Sequence, residues 1–513
     1  MTRQRTHSAA GRTVPARGGD TLASLVASVR NNEKLYALSL LLALVFLMGG
    51  GSRGDIQSLM YLRPVASLFL AYGLASLTVA QIKANKLLFG IGAAAITLVL
   101  LHLVPLPPAI WHAFPGREAI VAIDRAAGLG EPWRPLSMAP YATRNALGAL
   151  LPPLAVLVIG LQLDSTQLAR LVPVVLLLGF FNAFIGLIQV LGDVSSPLYF
   201  YNVTQNWLPV GLFANRNHQA VFLATLLPML LVWARTGAGA DKSTRASCLA
   251  NANLYVALAG GAFLLPLILA TGSRSGMALA AFCVAVLPLM LSGIKDASTD
   301  RGPDRAMPQP RLGWLRWALP VLGAAIILLS IWLGRAMSFD RLMGENESDM
   351  RVLIFPEVMS MIRHYLPWGS GIGSFEAVFA LHEPDGLLRR YYMNHAHDDW
   401  LEVALTGGVP ALAILAATVI WLGLRGWRVI RPSSGMDYHS ILLGRAGLSV
   451  IVVFALASIT DYPLRTPALL CLAVLAAFWT GAASQPRRRP IDYLDKRAKN
   501  VGKSQETRSG WVR

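Results

Sequence analysis

The stretch "NHAHDDWLEV", residues 394–403, sets His395 and His397 beside Asp398 and Asp399 at the start of an apolar run. Histidine has an ordinary pKa of about 6.5, and an imidazole steadied by a carboxylate can take a proton from a hydroxyl. A metal held by His395, His397 and an aspartate is a second reading, but the i, i+2 spacing would need an extended segment just ahead of a helix. A third is structural: an aspartate here suits the positive N-terminus of the next helix, and Trp400 suits a membrane interface. The expectation taken forward is proton transfer, with no metal and no cofactor.

Three other polar motifs stand at the edges of apolar runs. "ANRNH" offers Asn215, Arg216, Asn217 and His218, either as caps and headgroup anchors or as substrate contacts. Charges at a membrane edge are cheap, whereas one at the centre costs roughly 2.5–3.5 kcal/mol. In "TGSRSG", Gly272 and Gly276 are expected to make a tight turn that fixes Arg274 at the mouth of a hairpin. "DYPLR" separates the last two apolar runs. A guanidinium presents paired donors matched to phosphate oxygens, each charge-assisted contact contributing on the order of 1.5–3 kcal/mol. Arginines at such an edge therefore suit a phosphate, and a histidine beside a carboxylate suits a hydroxyl proton.

The elements that must carry these residues are membrane helices. The 513 residues are 54% hydrophobic and 14% charged, well below the roughly 25% charged residues of a soluble domain. Apolar runs long enough for helices to cross about 30 Å of hydrocarbon predict an all-α, polytopic protein of about twelve spans. They are 35–50, 64–82, 87–104, 146–163, 171–191, 218–234, 254–270, 276–293, 317–334, 401–424, 446–460 and 467–483. With both termini inside, all eight lysines fall on the cytoplasmic side and every basic residue outside is an arginine. The four polar motifs then share the outer face. No cleavable signal peptide is read in the polar, basic start of the chain.

A tail at 1–34, a membrane domain at 35–483 and a second basic tail at 484–513 follow from this division. The net charge of +17 is concentrated beside spans, as in "QPRRRP", which points to anionic lipid rather than nucleic acid. "KDASTDRGPDRAMPQPR" and "RGWRVIRPSSGMDYHS" read as cytoplasmic linkers, and no phosphate-binding glycine loop is present. Cys248, Cys283 and Cys471 show no CxxC spacing, which argues against a disulfide framework or a thiolate metal site. The long outer segment 335–400 separates spans nine and ten. Within it, Ile354, Phe355, Val358, Ile362 and Tyr365 recur at helical spacing, with Glu357, Ser360 and His364 on another face. Arg351 opens this helix, either for function or for a surface ion pair, which contributes little. Pro367, Gly369, Gly371 and Gly373 end it, and 376–392 reads as a mobile stretch.

Taken in order, "GLFANRNHQA", "TGSRSG", "RVLIFPEVMSMIRHYLPWGSGIGSF" and "HDDWLEVALTGGVPAL" resemble the O-antigen ligase-related superfamily of ligases and repeat-unit polymerases. The likeness is concentrated in residues 211–412. It implies a GT-C-like glycosyltransferase that uses an undecaprenyl-diphosphate-linked glycan on the periplasmic side of the bacterial inner membrane, without nucleotide sugar or essential metal. The acceptor would be a lipid A-core sugar or another glycan. By the same resemblance, Arg274 and Arg351 hold the diphosphate and His397 serves the acceptor hydroxyl, which makes His395 an extra; Arg216, Asn217, His218, Asn215, His395 and Asp398 are expected as substrate contacts from their own types and placement. Two positions depart from the pattern: Asp398 stands where asparagine is common, which would make His397 more basic, and Thr406 stands where an acidic residue often precedes the glycine at Gly408.

Ligase-type transfer is the leading expectation. The alternatives are a repeat-unit polymerase for O-antigen or exopolysaccharide, and a transporter or flippase of lipid-linked glycan. A transporter would place charges near mid-membrane in broken, paired helices, and this sequence shows no convincing internal repeat.

Overall fold

A computed structural model describes residues 31–236, 244–292, 347–388, 392–433 and 436–482; the side chains of 244–251 and 347–351 lie outside that description. The helices that matter for the site are α1 (Glu33–Met48), α2 (Leu59–Ser76), α3 (Lys86–Leu101), α4 (Pro140–Ala149), α5 (Leu151–Gly160), α6 (Leu171–Leu191) and α7 (Arg216–Thr236). They continue with α8 (Thr244–Ala270), α9 (Arg274–Leu291), α10 (Glu347–Tyr365), α11 (Phe375–His382), α12 (Asp399–Ile430), α13 (Tyr438–Ala457) and α14 (Pro467–Ala482). Among the described residues, eight helical stretches are long and apolar enough to cross a membrane, and Lys86–Leu101 and Pro467–Gly481 are apolar but shorter. The chain is a mostly helical, multi-pass membrane protein.

Each expected apolar run except 317–334 falls on helix, although 64–82 crosses a break at Leu77 and Thr78 into a short helix, Val79–Ala84; the run 317–334, the linker 295–311 and the tail from 484 lie outside the described residues. The ends differ for physical reasons. The run at 146–163 is two helices, α4 and α5, because Pro152 and Pro153 lack the N–H that would continue the ladder. The run at 446–460 starts two turns earlier, at Tyr438, since Arg445 is buried against main-chain carbonyls rather than solvated. Helix α12 runs on to Ile430 through what read as the start of a linker.

Helix α7 is the axis of the bundle. It is buried on nearly every side, as expected of a helix apolar all round. Small residues let its neighbours approach: a Cβ added to Gly276 of α9 would lie 2.2 Å from the Ala220 Cβ. Its N-terminal end is set by two amides on α6, seven residues apart and so on one face. Asn182 Oδ1 accepts from Leu212 N at 2.7 Å, and Gln189 Oε1 accepts from Gly211 N at 2.7 Å.

A second apolar core lies outside the bundle and joins α10, α11 and the start of α12 through Ile354, Val358, Tyr365, Phe375, Phe379 and Leu405. Phe355, expected on the buried face of α10, is 52% exposed. The stretch expected to be mobile contains α11, held by buried Phe375, Val378 and Phe379. The connection from α3 to α4 joins this outer cap. It carries a two-stranded antiparallel hairpin, β1 (Pro105–Leu106) with β2 (Arg134–Pro135), in the register Pro105↔Pro135 and Leu106↔Arg134.

The cap is fastened to α12 where that helix is broken. Pro410 has no N–H for the Thr406 carbonyl, and Gly408 adopts φ 58°, ψ −156°. Loop amides replace the lost donors: Ser370 N bonds Leu405 O and Gly371 N bonds Thr406 O, both at 2.9 Å, while Val409 N turns to Pro367 O at 2.8 Å. The approach is close enough that a Cβ on Gly369 would lie 2.7 Å from Gly408 N.

Candidate functional site

The N-terminus of α12 begins with an ordinary cap and an unusual turn. Asp398 Oδ1 accepts from Leu401 N at 3.0 Å, so its carboxylate caps the helix. His397, just before it, has φ 52°, a left-handed conformation uncommon outside glycine. Buried Glu402, in the first turn of α12, reaches back to the same turn. Its Oε2 accepts from Ala396 N at 3.1 Å, and both its oxygens lie 3.1 Å from His395 Nδ1.

The connection between α13 and α14 supplies the facing groups. Asp461 Oδ1 lies 3.6 Å from His397 Nδ1 and 3.9 Å from His218 Nε2, and it accepts from Tyr462 N at 3.0 Å. The Tyr462 ring is a common wall, with centroids 4.4 Å from His395, 4.9 Å from His397 and 5.2 Å from His218. Arg465 anchors the far side: Nε donates to Asp399 Oδ1 at 2.8 Å, and Nη1 lies 3.5 Å from Glu402 Oε1. Ser458 Oγ donates to Asp399 Oδ2 at 3.1 Å. Burial alone would lower the pKa of Arg465, but Glu402 and Asp399 more than offset it and hold the guanidinium above its ordinary value.

The arginines open two neighbouring helices. Asn215 Oδ1 accepts from Asn217 N at 2.8 Å, which makes Asn215 the cap of α7, and Gln205 Oε1 accepts from Arg216 N at 2.9 Å. Arg274 is the first residue of α9, which Ser273 caps through Gly276 N at 3.1 Å. Gly272 turns the chain with φ 63°, and a Cβ built there would lie 3.5 Å from Arg216 Nη1. The second expected turn glycine, Gly276, instead packs inside α9. Both helices therefore direct their positive N-terminal ends, each carrying an arginine, to one end of the bundle.

His218, His395 and His397 thus meet around Asp461 and Tyr462, and Arg216 lies against the turn that leads to Arg274. Asn217 is buried beside them on α7. Among the described residues Asp398 caps the helix rather than pairing with His397, and the carboxylate beside His397 is Asp461. Arg351 lies on α10, placed by its backbone alone. Thr406 donates to Glu402 O at 2.7 Å, so the buried acid on this face of α12 stands one turn before Thr406. His395 and His397 address different carboxylates, and among the described residues no three such groups are arranged to hold a metal. Asp461, Tyr462, Arg465 and Glu402 were not foreseen as site residues. "DYPLR" was visible as a polar insert between apolar runs, but nothing in its spacing said which residues it would meet.

Residues 259–416 match the family model described as O-antigen ligase (Wzy_C), so the resemblance to that superfamily holds. The match includes "TGSRSG", the α10 segment and "HDDWLEV", whereas Arg216, His218 and Asp461 lie outside its limits. A comparison with curated proteins returns no match. The family supports an O-antigen ligase- or polymerase-type function in general, with a lipid-linked glycan donor and a glycan acceptor.

Proposed function

We propose, from the premise that the chain carries an O-antigen ligase domain at residues 259–416, that it transfers a glycan from undecaprenyl diphosphate to a sugar hydroxyl of lipid A-core. The reaction takes place at the periplasmic face of the bacterial inner membrane, in a GT-C-like bundle of twelve spans with both termini in the cytoplasm. The observation that carries this reading is the pair of arginines at adjacent helix starts, Arg216 and Arg274, close to a histidine cluster backed by a carboxylate. A helix N-terminus favours anions, and a guanidinium adds paired donors.

In this mechanism Arg274 and Arg216 hold the diphosphate, joined by Arg351, whose role rests on the family resemblance. The acceptor hydroxyl attacks the anomeric carbon opposite the leaving group; the new C–O bond forms as the bond to the diphosphate oxygen breaks. His397 takes the hydroxyl proton and undecaprenyl diphosphate leaves with the bonding electrons, inverting the anomeric centre. Asn215, Asn217, His218, His395 and Asp398 shape the approach, and Asp461 orients His397. No step requires a metal.

The loops expected outside meet at one end of the bundle, as in Ala214 N to Gly50 O at 3.1 Å and Met138 N to Ser370 O at 2.8 Å. Those expected inside meet at the other, as in Arg170 Nη1 to Asn32 Oδ1 at 3.2 Å and Gln167 Nε2 to Asn31 O at 3.3 Å. This arrangement supports the even topology.

The test is transfer from a defined undecaprenyl-diphosphate glycan by the full chain in nanodiscs, offered lipid A-core or a second lipid-linked unit, with and without EDTA. Product on lipid A-core, unaffected by EDTA, is expected, and His397→Ala should reduce it by about 10²–10⁴ at unchanged membrane abundance. Product only on the second lipid-linked unit would establish the polymerase alternative instead. The transporter reading draws no support from the family match.

A further inference from the structure

Glu402 stands within a helix and lacks an obvious place in the transfer chemistry, yet it is 1% exposed and fully engaged. An ionised carboxylate is kept in such a place only where partners compensate its lost hydration. Its partners divide into two sets. Arg465, 3.5 Å away, supplies the opposite charge and is itself tied to Asp399 at 2.8 Å. The other set is the turn before the helix: Ala396 N at 3.1 Å and His395 Nδ1 at 3.1 Å from each oxygen.

That turn has to be held. His397 follows Ala396 directly and has φ 52°, which for a residue with a Cβ costs on the order of 1–3 kcal/mol and persists only where surrounding contacts over-determine it. Asp398 fixes the chain after His397 through the helix cap, and Glu402 fixes it before, through the Ala396 amide. The imidazole of His397 is therefore clamped from both sides of its own backbone, and in this strained conformation its Nδ1 lies 3.6 Å from Asp461.

We propose that Glu402 is a positioning residue for the transfer reaction: seated on Arg465, it holds the 395–397 turn so that His397 faces Asp461 and the acceptor. His395 belongs to the brace through its Nδ1, which faces both oxygens of Glu402, and the choice of His397 as the imidazole that serves the hydroxyl comes from the family resemblance. This assignment deepens the proposed function and rests on His397 acting as the base.

The experiment uses the full chain in nanodiscs, with an undecaprenyl-diphosphate-linked glycan as donor and lipid A-core as acceptor. Glu402→Ala, Glu402→Gln and His397→Ala are compared for kcat, for KM and for hydrogen exchange of the peptide covering residues 394–398. Glu402→Gln leaves Arg465 paired with Asp399 and keeps an oxygen for Ala396 N, so it is the variant that tests position without unfolding. The expected result is a kcat at least tenfold lower in Glu402→Ala, with KM within about twofold, faster exchange at residue 396, and partial recovery of both in Glu402→Gln. A Glu402→Ala or Glu402→Gln protein that loosens the turn yet keeps the parent kcat overturns the proposal, as does a change in KM alone. If His397→Ala retains full transfer while the exchange results hold, the base assignment fails and the brace survives only as a feature of the fold.

Discussion

Asp461 Oδ1 stands 3.6 Å from Nδ1 of His397, the two residues arriving from different connections, one after α13 and the other before α12. The same oxygen lies 3.9 Å from His218 Nε2 on α7. One buried carboxylate thus faces two imidazoles borne on separate helical elements. Asp461→Asn keeps the shape and removes the charge, so it should depress kcat by roughly 10–100-fold while the protein still accumulates in the membrane. Steady-state transfer rates normalised to folded protein check this; an unchanged kcat would show that His397 needs no carboxylate.

At the opposite end, Arg445 ties helix ends together. Its guanidinium bonds Val429 O at 3.1 Å, Met290 O at 2.9 Å and Ser292 O at 2.6 Å, closing the C-terminal ends of α9 and α12. Cations favour such ends, and buried carbonyls left without donors are costly. Arg445→Met should lower stability by about 2–3 kcal/mol and reduce abundance, with turnover per folded molecule unchanged. Thermal unfolding in detergent and normalised kcat read the two effects separately.

The outer cap should loosen in acid. Tyr365 Oη and His382 Nε2 are 3.0 Å apart, with His364 and Glu357 nearby and Glu118 3.7 Å from His364. Burial lowers the pKa of His382 and His364 lowers it further, against a smaller upward pull from Glu357. The folded chain therefore binds fewer protons than the unfolded one just below the ordinary value of about 6.5. Stability from this group is full above that value and is lost as pH falls through the window toward the folded pKa. Hydrogen exchange in α11, corrected for intrinsic rates, should speed up as pH falls below the ordinary histidine value of about 6.5. His382→Gln, which keeps a partner for Tyr365, should flatten that response.

The helices were readable because each run of apolar residues must be satisfied by its own backbone hydrogen bonds in lipid. The motifs bearing Arg216, Arg274 and His397 were readable as polar exceptions to that rule. Which exceptions meet was not, since the distance from Asp461 to His397 depends on how α12, α13 and α14 pack rather than on any local spacing. The same holds for Glu402, whose position at the head of a span resembles an ordinary first-turn acid until Ala396 and Arg465 are seen beside it. Phe355 followed the helical period of α10 but not its contacts: the second core buries Ile354, Val358, Met361, Ile362 and Tyr365 of that helix, with Met359 packed against it, while Phe355 stays exposed.

The break at Gly408 divides α12 into two levers on one pivot. The helix as a whole packs against α3, α13 and α14, and before the break the turns bearing Asp399 and Glu402 are stitched by Ser370 and Gly371 to the cap. The segment that carries the histidine turn is therefore joined by main-chain hydrogen bonds to the cap, on the N-terminal side of the break and apart from the longer membrane segment that follows it.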